Sequence, residues 1–180
     1  MSETMSRSAA AEWRAHWPVV LAAFSGMGMS TIAQYTVSLF IEPIEAEFGW
    51  SRAQIMSGMI LTATVGVLCA PLIGAAIDRF GPRRFAIASS LIVPVCFGLL
   101  GATTDNLLVW QALWFLFALS TLLLSPALWT SAITGFFEKG RGFALAFVLC
   151  GSGFSSILMP PLAYYAIDQF GWRLGFGAVG

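Results

Sequence analysis

The charged residues of this chain are spaced so that long apolar stretches lie between them. Residues 17–41, 53–77, 85–104, 106–137 and 142–167 contain no Asp, Glu, Lys or Arg. A helix crosses ~30 Å of hydrocarbon in ~20 mostly apolar residues. The pattern therefore predicts five complete spans, at 17–41, 53–77, 85–104, 107–134 and 142–167. These runs are continuous rather than alternating, which predicts helices and not the strands of a membrane barrel. A helix also satisfies its own backbone hydrogen bonds in lipid. After Arg173 an apolar stretch begins at Leu174 and reaches Gly180. It would rise only ~10 Å as a helix, so it reads as the start of a sixth span and the chain as the N-terminal part of something longer. Residues 1–16 are polar and read as a tail preceding the membrane domain 17–180.

Composition agrees with this picture. The chain is 58% hydrophobic and 10% charged, against about 45–50% and about 25% in ordinary soluble domains. That excludes a disordered chain and points to an all-α membrane protein, a polytopic helical bundle in the lipid bilayer. A net charge of zero argues against a nucleic-acid partner, which would need a basic face. Cationic residues fix the expected orientation. With the N-terminus in the cytoplasm, Arg7, Arg14, Arg79, Arg83, Arg84, Lys139 and Arg141 lie inside, against Arg52 and Arg173 outside. Cys69, Cys96 and Cys150 fall in three different apolar runs, which fits neither a disulfide framework nor a metal site. No catalytic set, cofactor or metal is expected.

One loop carries a denser pattern. Gly74, Asp78, Arg79, Gly81, Pro82, Arg83 and Arg84 lie between the second and third spans. Gly74 closes a ladder of small residues (Thr62, Gly66, Ala70, Gly74) spaced four apart, which lets another helix come close. Asp78 stands at the end of its helix among three arginines, where it could pair with them or accept hydrogen bonds from the amides of another helix start. Gly81-Pro82 supplies a tight turn.

This segment resembles the signature loop of the major facilitator superfamily, Gly-x-x-x-Asp-Arg-x-Gly followed by basic residues. Ala76 replaces a common Leu, and Pro82 stands where the first basic residue usually falls. Asp-Arg-Phe-Gly-Pro-Arg-Arg is similar to the monocarboxylate and oxalate/formate branch. Glu47-Phe-Gly-Trp-Ser51, Phe137-x-x-x-Arg141-Gly142-x-Ala144, Pro160-Pro161 and Gly171-Trp-Arg173 agree with that branch in order and spacing. The resemblance implies the N-terminal half of such a fold. It implies that Gly74, Asp78, Arg79, Gly81, Arg83 and Arg84 form a conformational gate, contacting a C-terminal helical half beyond this sequence.

Polar residues within the spans mark a candidate substrate cavity, since polar groups facing lipid are costly. Met27, Ser30, Thr31, Gln34 and Ser38 share one helical face, and Gln111 and Trp129 lie in the fourth run. Ser30, Thr31, Gln34, Gln111 and Trp129 are the cavity candidates. For the serines, hydrogen bonding between packed helices is the competing reading. No Asp, Glu, Lys or Arg lies within the five spans, so a charge for an anion or a coupling proton is expected in the remaining half. The resemblance implies a secondary transporter of a small organic solute, such as a monocarboxylate, working by alternating access. Efflux of a hydrophobic compound, and a membrane fragment without transport activity, are the alternatives.

Overall fold

A computed structural model describes residues 2–124 and 126–180; the side chains of residues 2–9, Asp78, Pro82 and Ala127 lie outside the described set. Seven α-helices follow one another: α1 Ser2–Met29, α2 Ile32–Phe48, α3 Arg52–Phe80, α4 Pro82–Leu99, α5 Leu107–Thr121, α6 Pro126–Phe136 and α7 Arg141–Val179. No strand occurs among the described residues.

Local chemistry sets many of the ends. Gly49 closes α2 in the left-handed region, and Ser51 opens α3 through a reciprocal capping box with Gln54. Asn106 caps α5 by accepting a hydrogen bond from the Leu108 amide. Gly81, at φ 83°, makes the turn between α3 and α4, and Pro82 then takes the first helical position, where its missing N–H costs nothing.

Among the described residues, Arg52–Ile77, Arg83–Ala102, Leu107–Phe136 and Arg141–Val179 are long and apolar enough to cross a membrane. The predicted first span is not one of these four. Its residues are shared between α1 and α2, which meet at a two-residue turn, Ser30–Thr31. The predicted tail is also helical, because α1 runs without interruption from Ser2 into the first apolar run. The fourth run is divided into α5 and α6 by the 3-10 turn Leu122–Leu124. Pro126 begins α6, where its missing N–H costs nothing. The fifth span and the predicted start of a sixth form α7, bent sharply at Gly171 (φ 78°, ψ 161°). Only glycine adopts that conformation easily. Beyond it the chain turns back, so that a side chain at Gly175 would touch Ile167 and Phe40.

The core is aromatic. Phe40 stacks on Phe176 at 3.9 Å between centroids, Phe97 and Trp110 meet Phe176 edge-on, and Trp110 meets Trp114. Val67, Leu68 and Leu72 on α3, Leu91 on α4, and Ile157 and Leu174 on α7 are exposed. Such a surface suits hydrocarbon, not water.

Candidate functional site

The turn at Ser30–Thr31 forms one wall of a cleft. Its hydroxyls bond back to their own helix, Ser30 to the Met27 carbonyl at 2.7 Å and Thr31 to the Gly28 carbonyl at 2.9 Å. The Thr31 amide reaches the same Gly28 carbonyl, three residues back rather than four. Side-chain hydroxyls that compete in this way loosen and bend a helix. The cleft has a volume of about 350 Å³ and is lined by Met27, Ser30, Thr31, Gln34 and Tyr35 on one side. Thr121, Leu124 and Pro126 from the broken fourth run and Ser152 from α7 complete it. Two helix breaks therefore face the same space.

The donor inventory of this cleft is specific. Ser30, Thr31, Thr121 and Ser152 each spend their hydroxyl proton on a backbone carbonyl of their own segment. They keep lone pairs and can still accept. The Gln34 amide and the Tyr35 phenol are therefore the lining groups whose polar hydrogens remain for a bound solute. Tyr35 escaped the sequence reading, although it adjoins Gln34; an aromatic in an apolar run gives no signal of its own.

Gln111 and Trp129 stand elsewhere. Gln111 donates to the Ser57 hydroxyl at 2.6 Å and joins α5 to α3, beside the Trp110 indole N–H bonded to the Ile55 carbonyl. Trp129 is buried, with its ring against Gly26 of α1 and its indole N–H without a hydrogen-bond partner. Both serve helix packing in this conformation rather than the cleft. Ser30, Thr31 and Gln34 are the cavity candidates that the fold brings together.

The gate candidates lie at the α3–α4 turn. Arg79, Arg83 and Arg84 are exposed, and the Arg79 guanidinium sits 5.5 Å from the Phe80 ring centroid. Gly66 and Gly74 face open space, so among the described residues no helix packs on the small-residue ladder at those two positions. The Asp78 side chain lies outside the described residues.

The family model of the Major Facilitator Superfamily matches residues 20–180, nearly the whole chain. The chain belongs to that superfamily.

Among its relatives is human monocarboxylate transporter 11, 27% identical over 158 residues, covering 87% of this chain and 33% of that protein. Human monocarboxylate transporter 2 is 26% identical over 167 residues, covering 91% of this chain and 34% of the relative. Riboflavin transporter RibJ of Trypanosoma brucei brucei is 28% identical over 118 residues, 64% of this chain and 20% of the relative. The chain thus spans about a third of the length of the monocarboxylate transporters it matches. No solved structure matches it.

Two carboxylates tie this superfamily chain together at its ends. Glu47, in the last turn of α2, meets Arg173 at 2.7 Å and accepts from the Trp172 indole at 2.6 Å. Arg173 also donates to the Gly101 and Thr103 carbonyls between α4 and α5 and lies 4.5 Å from the Trp172 ring centroid. The Arg173 and Trp172 hydrogen bonds hold the Glu47 carboxyl below its ordinary range. At the other end Glu12 accepts from the Gly140 amide at 3.0 Å and from the Lys139 amide, just before α7. These bonds, Gly140 first, lower its pKa too. The N-cap of α7, Gly140, makes no side-chain cap bond; Glu12 instead takes up the amide of Gly140 itself and that of Lys139 before it. Trp13 packs on Phe137, Phe143 and Phe147 beside it, and His16 on Phe136. Glu12, Trp13 and His16, which fall in the predicted tail, are therefore packed against the residues around the start of α7.

Proposed function

We propose that the chain is the N-terminal part of a secondary transporter that moves a small organic anion, such as a monocarboxylate, by alternating access, with its N-terminus in the cytoplasm of a cell membrane. The observation that carries this reading is the cleft where two helix breaks meet. Carriers of this kind bind solute at discontinuous helices near the membrane midplane. Irregular backbone at that depth is tolerated where it lines a cavity.

The lining offers Gln34 and Tyr35 as donors, and both suit a carboxylate. Among the described residues that line the cleft, none is cationic. In this reading the counter-charge, and any coupling proton, belong to the remaining length represented in the relatives. The loop from Gly74 to Arg84 then acts as the cytoplasmic gate, with Asp78 bonding to the opposite half.

The experiment is uptake of radiolabelled lactate into liposomes by the full-length protein. Saturable uptake supports the reading. Saturable transport of a neutral apolar compound with no lactate uptake transfers the cleft to the efflux reading.

A further inference from the structure

The contacts of the first helix pair with α7 have a definite order along the chain. At one end Glu12 accepts the Lys139 and Gly140 amides. Next, the α1 and α7 backbones cross so closely that a Cβ on Gly151 would collide with the Phe24 carbonyl, and one on Gly28 would lie 3.2 Å from the Gly151 carbonyl oxygen. At the far end Phe40 stacks on Phe176, and Glu47 is held by Trp172 and Arg173. Between these anchors lies the Ser30–Thr31 turn, which shares the lining of the cleft with Ser152 of α7.

We infer that α1 and α2 are anchored to α7 at both ends by Glu12 and Glu47, and that this confines their conformational change to the Ser30–Thr31 turn in the cleft wall. A rod fixed at both ends and broken in the middle moves at the break. There the Thr31 amide bonds three residues back, to Gly28, while the Ser30 and Tyr35 amides keep four-residue bonds to Gly26 and Thr31, and the Ser30 and Thr31 hydroxyls bond back to Met27 and Gly28. Local opening is easiest where few interactions resist it. The anchors cost the cleft no charge, because each carboxylate is satisfied at its own end of the bundle. The inference rests on the transport reading for its purpose but not for its test.

The test is hydrogen exchange of the full-length protein in lipid nanodiscs, without ligand, followed by mass spectrometry. In the wild type the amides of residues 30–34 exchange at least about tenfold faster than those of 20–28 and 36–46. In Glu12→Ala combined with Glu47→Gln, fast exchange spreads to 12–20 and 40–48 by a similar factor, while 53–70 on α3 is unchanged. Two outcomes overturn the inference: a turn no faster than its flanks in the wild type, or ends that stay protected in the double variant. The first comparison needs no variant, so it stands even if the double variant misfolds. Lactate uptake is measured in parallel. Its absence, with the exchange pattern intact, counts against the transport reading and leaves the anchorage standing.

Discussion

Glu47 and Arg173, 126 residues apart in sequence, meet at 2.7 Å and close the bundle at one end. Arg173 satisfies two backbone carbonyls of the α4–α5 connection at the same time. One guanidinium thus links three segments, which its planar array of donors allows.

This contact makes stability dependent on acid. Both Glu47 and Glu12 have carboxyls lowered from an ordinary value of about 4.5. A depressed folded pKa contributes stability that is full above that ordinary value and is lost as pH falls through the folded one. The melting temperature in detergent is therefore expected to be flat from pH 7 to pH 5 and to decline below about 4.5. Glu47→Gln should lower the melting temperature at pH 7 and flatten the acid decline. An unchanged pH profile in that variant would remove Glu47 from the account.

Gly101 should tolerate no side chain. A Cβ there would run into the backbone carbonyl of Arg173, and backbone cannot move away as a rotamer can. Overpacking of this kind typically costs about 1–3 kcal/mol. Gly101→Ala should therefore lower the melting temperature by several degrees, whereas Gly66→Ala, which faces open space, should leave it nearly unchanged. Equal effects at both positions would refute the close approach.

Gln34 and Tyr35 carry the proposed solute contacts. Hydrogen bonds to a charged group are worth about 1.5–3 kcal/mol. Gln34→Leu and Tyr35→Phe should each raise the KM for lactate roughly ten- to a hundredfold in the full-length protein, while Gln111→Leu should act on stability instead. Kinetics of liposome uptake with a parallel melting curve separate the two effects.

Asp78→Asn tests the gate. Removing one charge-assisted bond of about 1.5–3 kcal/mol should shift the full-length protein toward the inward-open state by roughly ten- to a hundredfold. Turnover falls, and a reporter cysteine in the inner vestibule becomes more reactive. Normal turnover with unchanged reactivity would reduce the segment to a positively charged loop.

Orientation is open to direct measurement. Cysteines placed at Ala46 or Ser51 should react with impermeant thiol reagents from outside the cell, and one at Arg83 only after the membrane is breached. The reverse pattern would overturn the inside assignment of the N-terminus.

Much of the architecture was legible along the chain because it follows from local rules. Charges are excluded from hydrocarbon, so their spacing at Arg52, Asp78, Arg83, Asp105 and Arg141 marked where apolar runs end. Gly81-Pro82 is a turn of this local kind; the caps at Ser51 with Gln54 and at Asn106 are equally local but were seen only in the fold. Ser30, Thr31 and Gln34 were legible for a similar reason, since polar residues at helical spacing share a face whatever lies opposite.

The remainder depended on which helix faces which. Helix α5 carries apolar residues on every side, so its sequence does not say that Trp114 enters the fold against Gly58 or that Gln111 meets Ser57. In lipid the outside of a helix is as apolar as the inside, and hydrophobic periodicity loses the contrast that reveals a buried face in water. Nor could spacing reveal that Glu12 meets the Lys139 and Gly140 amides before α7 or that Glu47 finds Trp172 and Arg173, because these contacts join positions more than a hundred residues apart. The sequence by itself determined the class, the number of apolar runs and the polar stripe of the first one. The tertiary structure decided that this stripe lies at a helix break, opposite a second break, between two anchored ends, because helix pairing brings together groups that no local pattern connects.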